Sequence, residues 1–106
     1  MSADRWRATL SLAQKAGKIA SGGYAAETAI RSGNAFLVIV ARDASDNTRK
    51  KMSDMARFYD VPLYCIGTKE ELGRCIGKEY RSMIAVLDEG FAQSLSGQIE
   101  AAGTTE

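Results

Sequence analysis

The chain has 106 residues, the size of one domain, and its 45% apolar and 25% charged residues are ordinary for a soluble globular protein. Residues 1–81 hold all 14 basic residues and nine acidic ones, whereas residues 82–106 hold four acidic residues and no basic one, so a basic face is possible despite a net charge of +1. The chain has no histidine, which excludes Ser-His-Asp and Cys-His catalysis and histidine-ligated metal sites.

The first half of the chain alternates between helical and extended patterns. The predicted elements in order are a helix over residues 3–16, an extended segment over 18–20, a helix over 23–32 and a strand over 35–41. Gly17 ends the first helix and Gly33 the second, because glycine takes up a positive φ without strain. The continuous apolar run over 35–41 is typical of a central strand that is covered on both faces.

The second half continues this alternation. The predicted elements are a helix over 46–59, a strand over 63–66, a short helix over 69–75, a strand over 83–87 and a final helix that follows the cap residue Asp88. A 3.6-residue apolar period in the helix over 46–59 predicts a buried stripe of Thr48, Met52, Met55 and Tyr59. Asp60 ends that helix, and Thr68 with Glu71 matches a capping box at the start of the next one.

These elements predict an α/β fold, a three-layer α/β/α sandwich with a small mixed sheet of about four strands. Residues 1–100 are expected to form the single domain and residues 101–106 a frayed C-terminal tail, since the tail has no pattern. No apolar run approaches the ~20 residues of a membrane-spanning helix, and the first residues lack a signal core, so we expect a cytoplasmic protein. Cys65 and Cys75 are expected to be reduced, buried thiols and are too few for a zinc site, so we expect no metal and no other cofactor.

The first candidate site is the turn over residues 21–24 together with the helix after it. A helix N-terminus presents unpaired N–H groups and partial positive charge to phosphate, and the two glycines of the turn let a ligand approach closely. Tyr24, Thr28 and Arg31 share one helix face, from which an aromatic ring can stack on a base and a guanidinium can contact phosphate. From these residues alone, a glycine turn with a solvated helix face is an equally good interpretation.

The second candidate site is the loop over residues 77–82, which combines a glycine with Lys78, Tyr80 and Arg81. Taken by itself, this loop is more simply interpreted as a solvated connection between a helix and a strand. The run over residues 49–51 is interpreted as a solvated helix face, because three successive basic side chains fan out around a helix.

The acidic residues that follow the strands could be imagined as a metal or phospho-acceptor pocket. Asp43, Ser45 and Asp88 are better interpreted as helix caps, because their side-chain oxygens precede predicted helices. Neither of the glycine-rich nucleotide-binding motifs occurs in the sequence, so nucleotide binding has no support.

Four short motifs, in a fixed order along the chain, give it a resemblance to a known family. They are Ala16-Gly17-Lys18, Ile30-Arg31-Ser32-Gly33, Ala41-Arg42-Asp43-Ala44-Ser45 and Glu71-Leu72-Gly73 with Gly77. Over roughly residues 8–95 the sequence resembles the ribosomal L7Ae/L30e superfamily of kink-turn RNA-binding proteins, most closely its small bacterial YlxQ-like branch. The resemblance implies an α/β/α sandwich that binds RNA through the start of its second helix and the loop before its last strand.

The resemblance favours RNA binding over solvated surface at both candidate sites. Lysines and arginines there are expected to neutralise phosphates, and the aromatic side chains to stack on bases. The predicted RNA-binding residues are Lys18, Gly22, Gly23, Tyr24, Thr28, Arg31, Lys78, Tyr80 and Arg81. Replacement of Lys51 by alanine is expected to have little effect.

The second helix also departs from the pattern that the resemblance implies. In typical members it opens with Gly-Thr-Asn-Glu-x-x-Lys, and the Asn, Glu and Lys contact guanines of tandem G·A pairs in a sharply bent duplex. Gly22 matches the first glycine, but Tyr24, Ala25 and Thr28 stand at the Asn, Glu and Lys positions. Since each base-edge contact supplies about 1–3 kcal/mol of discrimination, we expect recognition by shape, phosphate contact and stacking to survive better than recognition of a standard kink-turn.

The leading interpretation is therefore a non-enzymatic, ribosomal-protein-like RNA-binding protein that acts as a monomer. Its expected partner is structured RNA, with ribosomal RNA among the candidates, and no role for a membrane is expected. The alternative is a protein-interaction module on the same fold, in which RNA binding has been weakened or lost. An enzyme is the least favoured class, because no nucleophile-base pair or metal-ligand cluster can be assembled.

Overall fold

A computed structural model of the protein describes residues 5–102, which form five helices and four strands. The elements in chain order are α1 (Arg5–Lys15), β1 (Ile19–Ser21), α2 (Gly23–Arg31), β2 (Leu37–Val40), α3 (Asp46–Phe58), β3 (Leu63–Cys65), α4 (Lys69–Cys75), β4 (Met83–Val86) and α5 (Glu89–Ala101). Every predicted element is present, with ends that differ from the prediction by up to two residues where they can be compared. The predicted start of the first helix at residue 3 lies outside the described residues.

The four strands form one mixed sheet in the order β1-β4-β2-β3. Strand β4 pairs antiparallel with β1 and β2, and β2 pairs parallel with β3. Helix α1 packs on α4 and α5, while α2 contacts β1 and β4 and α3 contacts β2. The central strands β2 and β4 are buried at every position, because helices cover both faces of the sheet. The prediction of a three-layer sandwich with a four-stranded mixed sheet is confirmed.

Helices α1 to α4 all end with a residue of positive φ. Gly17, Gly33 and Gly77 follow α1, α2 and α4, and Asp60 follows α3 with a φ of 59°. After α3 the Val61 N–H donates to the Ala56 carbonyl at 2.8 Å, the long hydrogen bond of a Schellman motif. The predicted helix ends are therefore set by the residues that the sequence marked.

Three local predictions need correction. Of the predicted buried stripe of α3, Met52 is buried, but Thr48 and Met55 are only half-buried. Tyr59 is the C-cap of α3, is 39% exposed and packs edge-on against Phe58, and Ala56 is the second buried residue of the helix. Cys65 and Cys75 are free thiols but only half-buried. Residue 101, expected to open a frayed tail, is instead the last residue of α5, and residue 102 is its C-cap.

Residues 103–106 lie outside the described part of the chain. None of the helices within residues 5–102 has both the length and the apolar character that a bilayer crossing requires.

Candidate nucleic-acid interface

The two predicted sites meet at one end of the sheet, where β1 finishes and β4 begins. The Gly22 N–H donates to the Met83 carbonyl at 3.2 Å, which joins the start of α2 to the start of β4. Arg81 Nε donates to Ser21 Oγ at 3.3 Å, which joins the loop before β4 to the same turn. We call this end of the sheet, made of residues 21–25, 41–45 and 77–82, the loop end. Two segments more than fifty residues apart in sequence thus lie side by side.

The start of α2 is open to solvent. Gly22 is its N-cap, with a φ of +89° that favours glycine, and it supplies no side-chain hydrogen bond. The Ala26 N–H donates to the Gly22 carbonyl as the first hydrogen bond within the helix, so the N–H groups of Gly23, Tyr24 and Ala25 face outward. A Cβ built on Gly22 or Gly23 would meet nothing within 4 Å, so a phosphate group has room to approach.

The starts of α3, α4 and α5 are closed by side chains. Ser45 Oγ accepts from the Thr48 N–H at the start of α3, and Asp88 accepts from the Phe91 N–H at the start of α5. Thr68 and Glu71 form the predicted capping box of α4. Among the helices whose starts are described, α2 therefore differs in leaving its first N–H groups available to a ligand.

The loop before β4 is held in place by α4. The Lys78 N–H donates to the Gly73 carbonyl at 2.8 Å, and the Arg81 N–H donates to the Lys69 carbonyl at 3.0 Å. A Cβ built on Gly73 would lie 2.6 Å from the Glu79 carbonyl oxygen, so only glycine lets the loop approach this closely. The glycine at position 73, part of a motif that carried the family resemblance, thus has a structural role under the candidate site.

The side chains at the loop end combine exposed aromatic rings with cations. Tyr24 is 87% exposed on α2 and Tyr80 is 56% exposed on the loop. Arg81 also donates from its guanidinium to the Tyr80 carbonyl at 2.6 Å, which fixes the direction of the guanidinium beside Ser21. Lys78 is exposed beside these groups. The predicted face of Tyr24, Thr28 and Arg31 is exposed, as expected.

Glu27 joins this face of α2 to α3. Its Oε1 accepts from Arg31 Nη2 at 3.3 Å, and its Oε2 lies 2.8 Å from Lys51 Nζ. The hydrogen bond from Lys51 holds the pKa of the Glu27 carboxyl below its ordinary value; partial burial opposes that shift, and the charges of Lys51 and Arg31 add to it. Residues 49–51 are all exposed, as expected of a solvated helix face, and Lys51 in addition contacts α2 across the helix pair.

Lys18 lies apart from the other predicted RNA-binding residues. Its carbonyl accepts from the Leu87 N–H at 2.8 Å, at the end of β4 that is remote from the loop end. Lys18 lies three residue steps of extended chain before Ser21, a distance of about 10 Å between Cα atoms. The structure therefore leaves Lys18 at the opposite end of β1, while Thr28 and Arg31 lie further along α2, with Arg31 about 12 Å from the start of the helix. The predicted residues that meet at the loop end are Gly22, Gly23, Tyr24, Lys78, Tyr80 and Arg81.

Sequence reasoning missed one cation at the loop end. Arg42 is exposed, and its N–H donates to the Gly67 carbonyl at 2.8 Å. The neighbouring Asp43 accepts from the Lys69 N–H at 2.8 Å, so it helps to cap α4 rather than the helix that follows it in sequence. Arg42 belongs to a motif that carried the family resemblance, but its proximity to the candidate site depends on which strands are neighbours in the sheet.

Comparisons with known proteins give a consistent result. The model of the ribosomal protein L7Ae/L30e/S12e/Gadd45 family matches residues 4–96. The chain is 43% identical over 95 residues to the RNA-binding protein YlxQ of Bacillus subtilis, covering 90% of this chain and 95% of that protein.

Solved structures have the same fold. A protein of unknown function from Bacillus halodurans superposes with a TM-score of 0.88 at 35% identity, over 91% of this chain and 97% of that one. The Giardia lamblia 15.5kD RNA binding protein superposes with a TM-score of 0.79 at 22% identity, over 96% of this chain and 91% of that one. The likeness to the second structure concerns the fold alone.

Proposed function

Because the chain belongs to the ribosomal protein L7Ae/L30e/S12e/Gadd45 family, we propose that it is a non-enzymatic RNA-binding protein that takes structured RNA at its loop end. The name of its Bacillus subtilis relative, an RNA-binding protein, supports this proposal. The observation that carries it is the open start of α2 directly beside the guanidinium of Arg81. The proposal includes action as a monomer in the cytoplasm, with structured RNA such as ribosomal RNA as the partner.

The chemistry of this surface suits a folded RNA backbone. The outward N–H groups at the start of α2 and the guanidinium of Arg81 can share a phosphate, since both favour anions and Arg81 donates to Ser21 in the turn that opens α2. The exposed rings of Tyr24 and Tyr80 offer faces on which unstacked bases can lie. Such contacts read shape and backbone more than base sequence.

The proposal also specifies which kind of RNA structure the protein binds. Tyr24, Ala25 and Thr28 present no carboxylate, amide or ammonium group for the base edges of a kink-turn. We propose that the protein binds bent, kink-turn-like RNA mainly through phosphates and stacking, with modest preference over a plain duplex.

A titration of fluorescently labelled RNA tests the proposal. The RNAs are a hairpin with tandem G·A pairs in a bent stem and a plain duplex of equal length. Arg81→Ala should weaken binding of the hairpin about tenfold, because a charge-assisted phosphate contact is lost. The matched control is Arg57→Ala, which removes an exposed arginine at the far end of α3.

These titrations distinguish RNA binding at the loop end from the alternative function as a protein-interaction module. Equal binding by Arg81→Ala and the wild-type protein would contradict the loop end as the RNA site. Absence of RNA binding at low salt by the wild-type protein would contradict the function itself and favour a protein-interaction module.

A further inference from the structure

One carboxylate at the border of the candidate interface holds two cations from two helices. The two oxygens of Glu27 contact different partners, Arg31 one turn further along α2 and Lys51 on α3. The Glu27 side chain is only 15% exposed, whereas those of Arg31 and Lys51 are 55% and 57% exposed. The anion thus lies below its two partners, and the cations form the outer layer.

This arrangement leaves most of the donors of both cations unused. A lysine ammonium has three N–H donors and an arginine guanidinium has five, and each group directs one toward Glu27. Both side chains are more than half exposed, so a ligand can reach the remaining donors. A phosphate that reached this point would meet two oriented cations whose side-chain freedom is already restricted by Glu27.

We propose that Glu27 is a positioning residue that holds Arg31 and Lys51 as a two-pronged phosphate clamp, so that bound RNA crosses from α2 onto α3. This inference rests on the proposed RNA-binding function and extends its footprint beyond the loop end. It also assigns a role to Lys51, for which sequence reasoning expected none.

Glu27→Gln tests the clamp, and Asp54→Asn is its matched control. Asp54 also contacts two cations, Lys50 at 3.3 Å and Arg57 at 3.5 Å, but all three lie on α3. Each substitution removes one negative charge and releases two cations, so a purely charge-driven surface would bind RNA equally or slightly more tightly with either variant. The clamp predicts that Glu27→Gln binds the bent hairpin about three- to tenfold more weakly, while Asp54→Asn binds at least as well as the wild-type protein.

A second pair of variants tests the clamp without relying on the Glu27→Gln substitution. Lys51→Ala should weaken binding about fivefold and lower the salt slope of log K by about one, whereas its neighbour Lys50→Ala should change neither. In the Glu27→Gln background the loss caused by Lys51→Ala should be smaller, because the clamp is already broken. Thermal unfolding of each variant gives the fraction folded at the temperature of the titration.

The outcomes distinguish the clamp from the function on which it rests. Tighter binding by Glu27→Gln, or equal effects of Lys51→Ala and Lys50→Ala, would overturn the clamp while Arg81→Ala still reported the loop end. If the wild-type protein itself binds no RNA, the proposed function and the clamp are overturned together.

Discussion

Tyr24, Ala25 and Thr28 are the side chains that set this protein's second helix apart from the pattern that a kink-turn reader would show. All three are exposed on α2. Their exposure was predictable from the helical period, because Ala26, Ala29 and Ile30 occupy the buried face. The positions are therefore free to change without disturbing the core.

We expect the triple change Tyr24→Asn, Ala25→Glu and Thr28→Lys to create selectivity for a kink-turn over a plain duplex. The added amide and ammonium donate to guanine acceptors and the carboxylate accepts from guanine amino groups, each worth about 1–3 kcal/mol. Titration of both RNAs with the natural and the triple-substituted protein measures the change. Strong selectivity in the natural protein would show that its own residues supply these contacts in another way.

Glu27 gives a residue-level prediction about pH. Its pKa in the folded protein lies below 4.5, chiefly because Lys51 donates to it, so its ionised form stabilises the fold. That contribution is complete above pH 4.5 and is lost as the pH falls through the lowered folded-state pKa. Urea unfolding should show Glu27→Gln less stable by about 1 kcal/mol at pH 7, with the difference shrinking below pH 4.5. A difference that persists unchanged at pH 2 would contradict the ion pairs as its cause.

The contact between Glu27 and Lys51 shows the limit of sequence reasoning at this scale. Each residue lies at a predictable place on its own helix. Their separation of 2.8 Å, however, depends on how α2 and α3 lie across the sheet. The helical period predicts on which face of its own helix a residue lies, but not which other helix packs against that face.

At the scale of elements, most helix ends could be predicted because they depend on local chemistry. The capping box at Thr68, the cap at Ser45 and the glycine stops are all where the sequence placed them. Tyr59 was misplaced because the apolar period reaches one residue past Phe58, the last residue of α3, and the helix has already stopped there. A local stop therefore overrides a periodic signal.

Asp60 supplies a stability prediction for α3. It takes up a φ of 59°, which costs a residue with a Cβ more than it costs glycine. Asp60→Gly should raise the free energy of unfolding by about 0.5–1 kcal/mol, measured by urea denaturation. Asp60→Ala, which removes the same charge but keeps a Cβ, is the control and should lower stability. No gain from the glycine would mean that Asp60 makes compensating interactions.

Gly73 links an element to the candidate site. A Cβ at this position would lie 2.6 Å from the Glu79 carbonyl oxygen, so Gly73→Ala forces the loop that carries Tyr80 and Arg81 away from α4. We expect a loss of about 1–3 kcal/mol in stability, as for other overpacked sites, and weaker RNA binding at temperatures where the variant is folded.

Gly97→Ala is the control for that substitution. Gly97 is an exposed glycine of α5 with nothing within 4 Å of a built Cβ, so alanine there should leave RNA binding unchanged. Unchanged RNA binding by folded Gly73→Ala would contradict the role assigned to the loop.

At the scale of the whole molecule, charge and topology together place the candidate interface. The acidic residues after position 82 include Glu89 and Glu100 on α5, which packs on α1 rather than at the loop end. The cations of the loop end are Arg42, Lys78 and Arg81. Sequence could predict that a basic face exists, but not that Lys18 lies outside it, since that depends on the antiparallel pairing of β1 with β4.

The most direct test of the account follows backbone amide signals of the ¹⁵N-labelled protein during titration with the bent RNA hairpin. We predict the largest shifts at residues 22–25 and 78–81, smaller shifts at Arg31 and Lys51, and none at residues 57–60 at the far end of α3. Shifts centred on residues 57–60, with the start of α2 unmoved, would contradict the loop end as the RNA-binding surface.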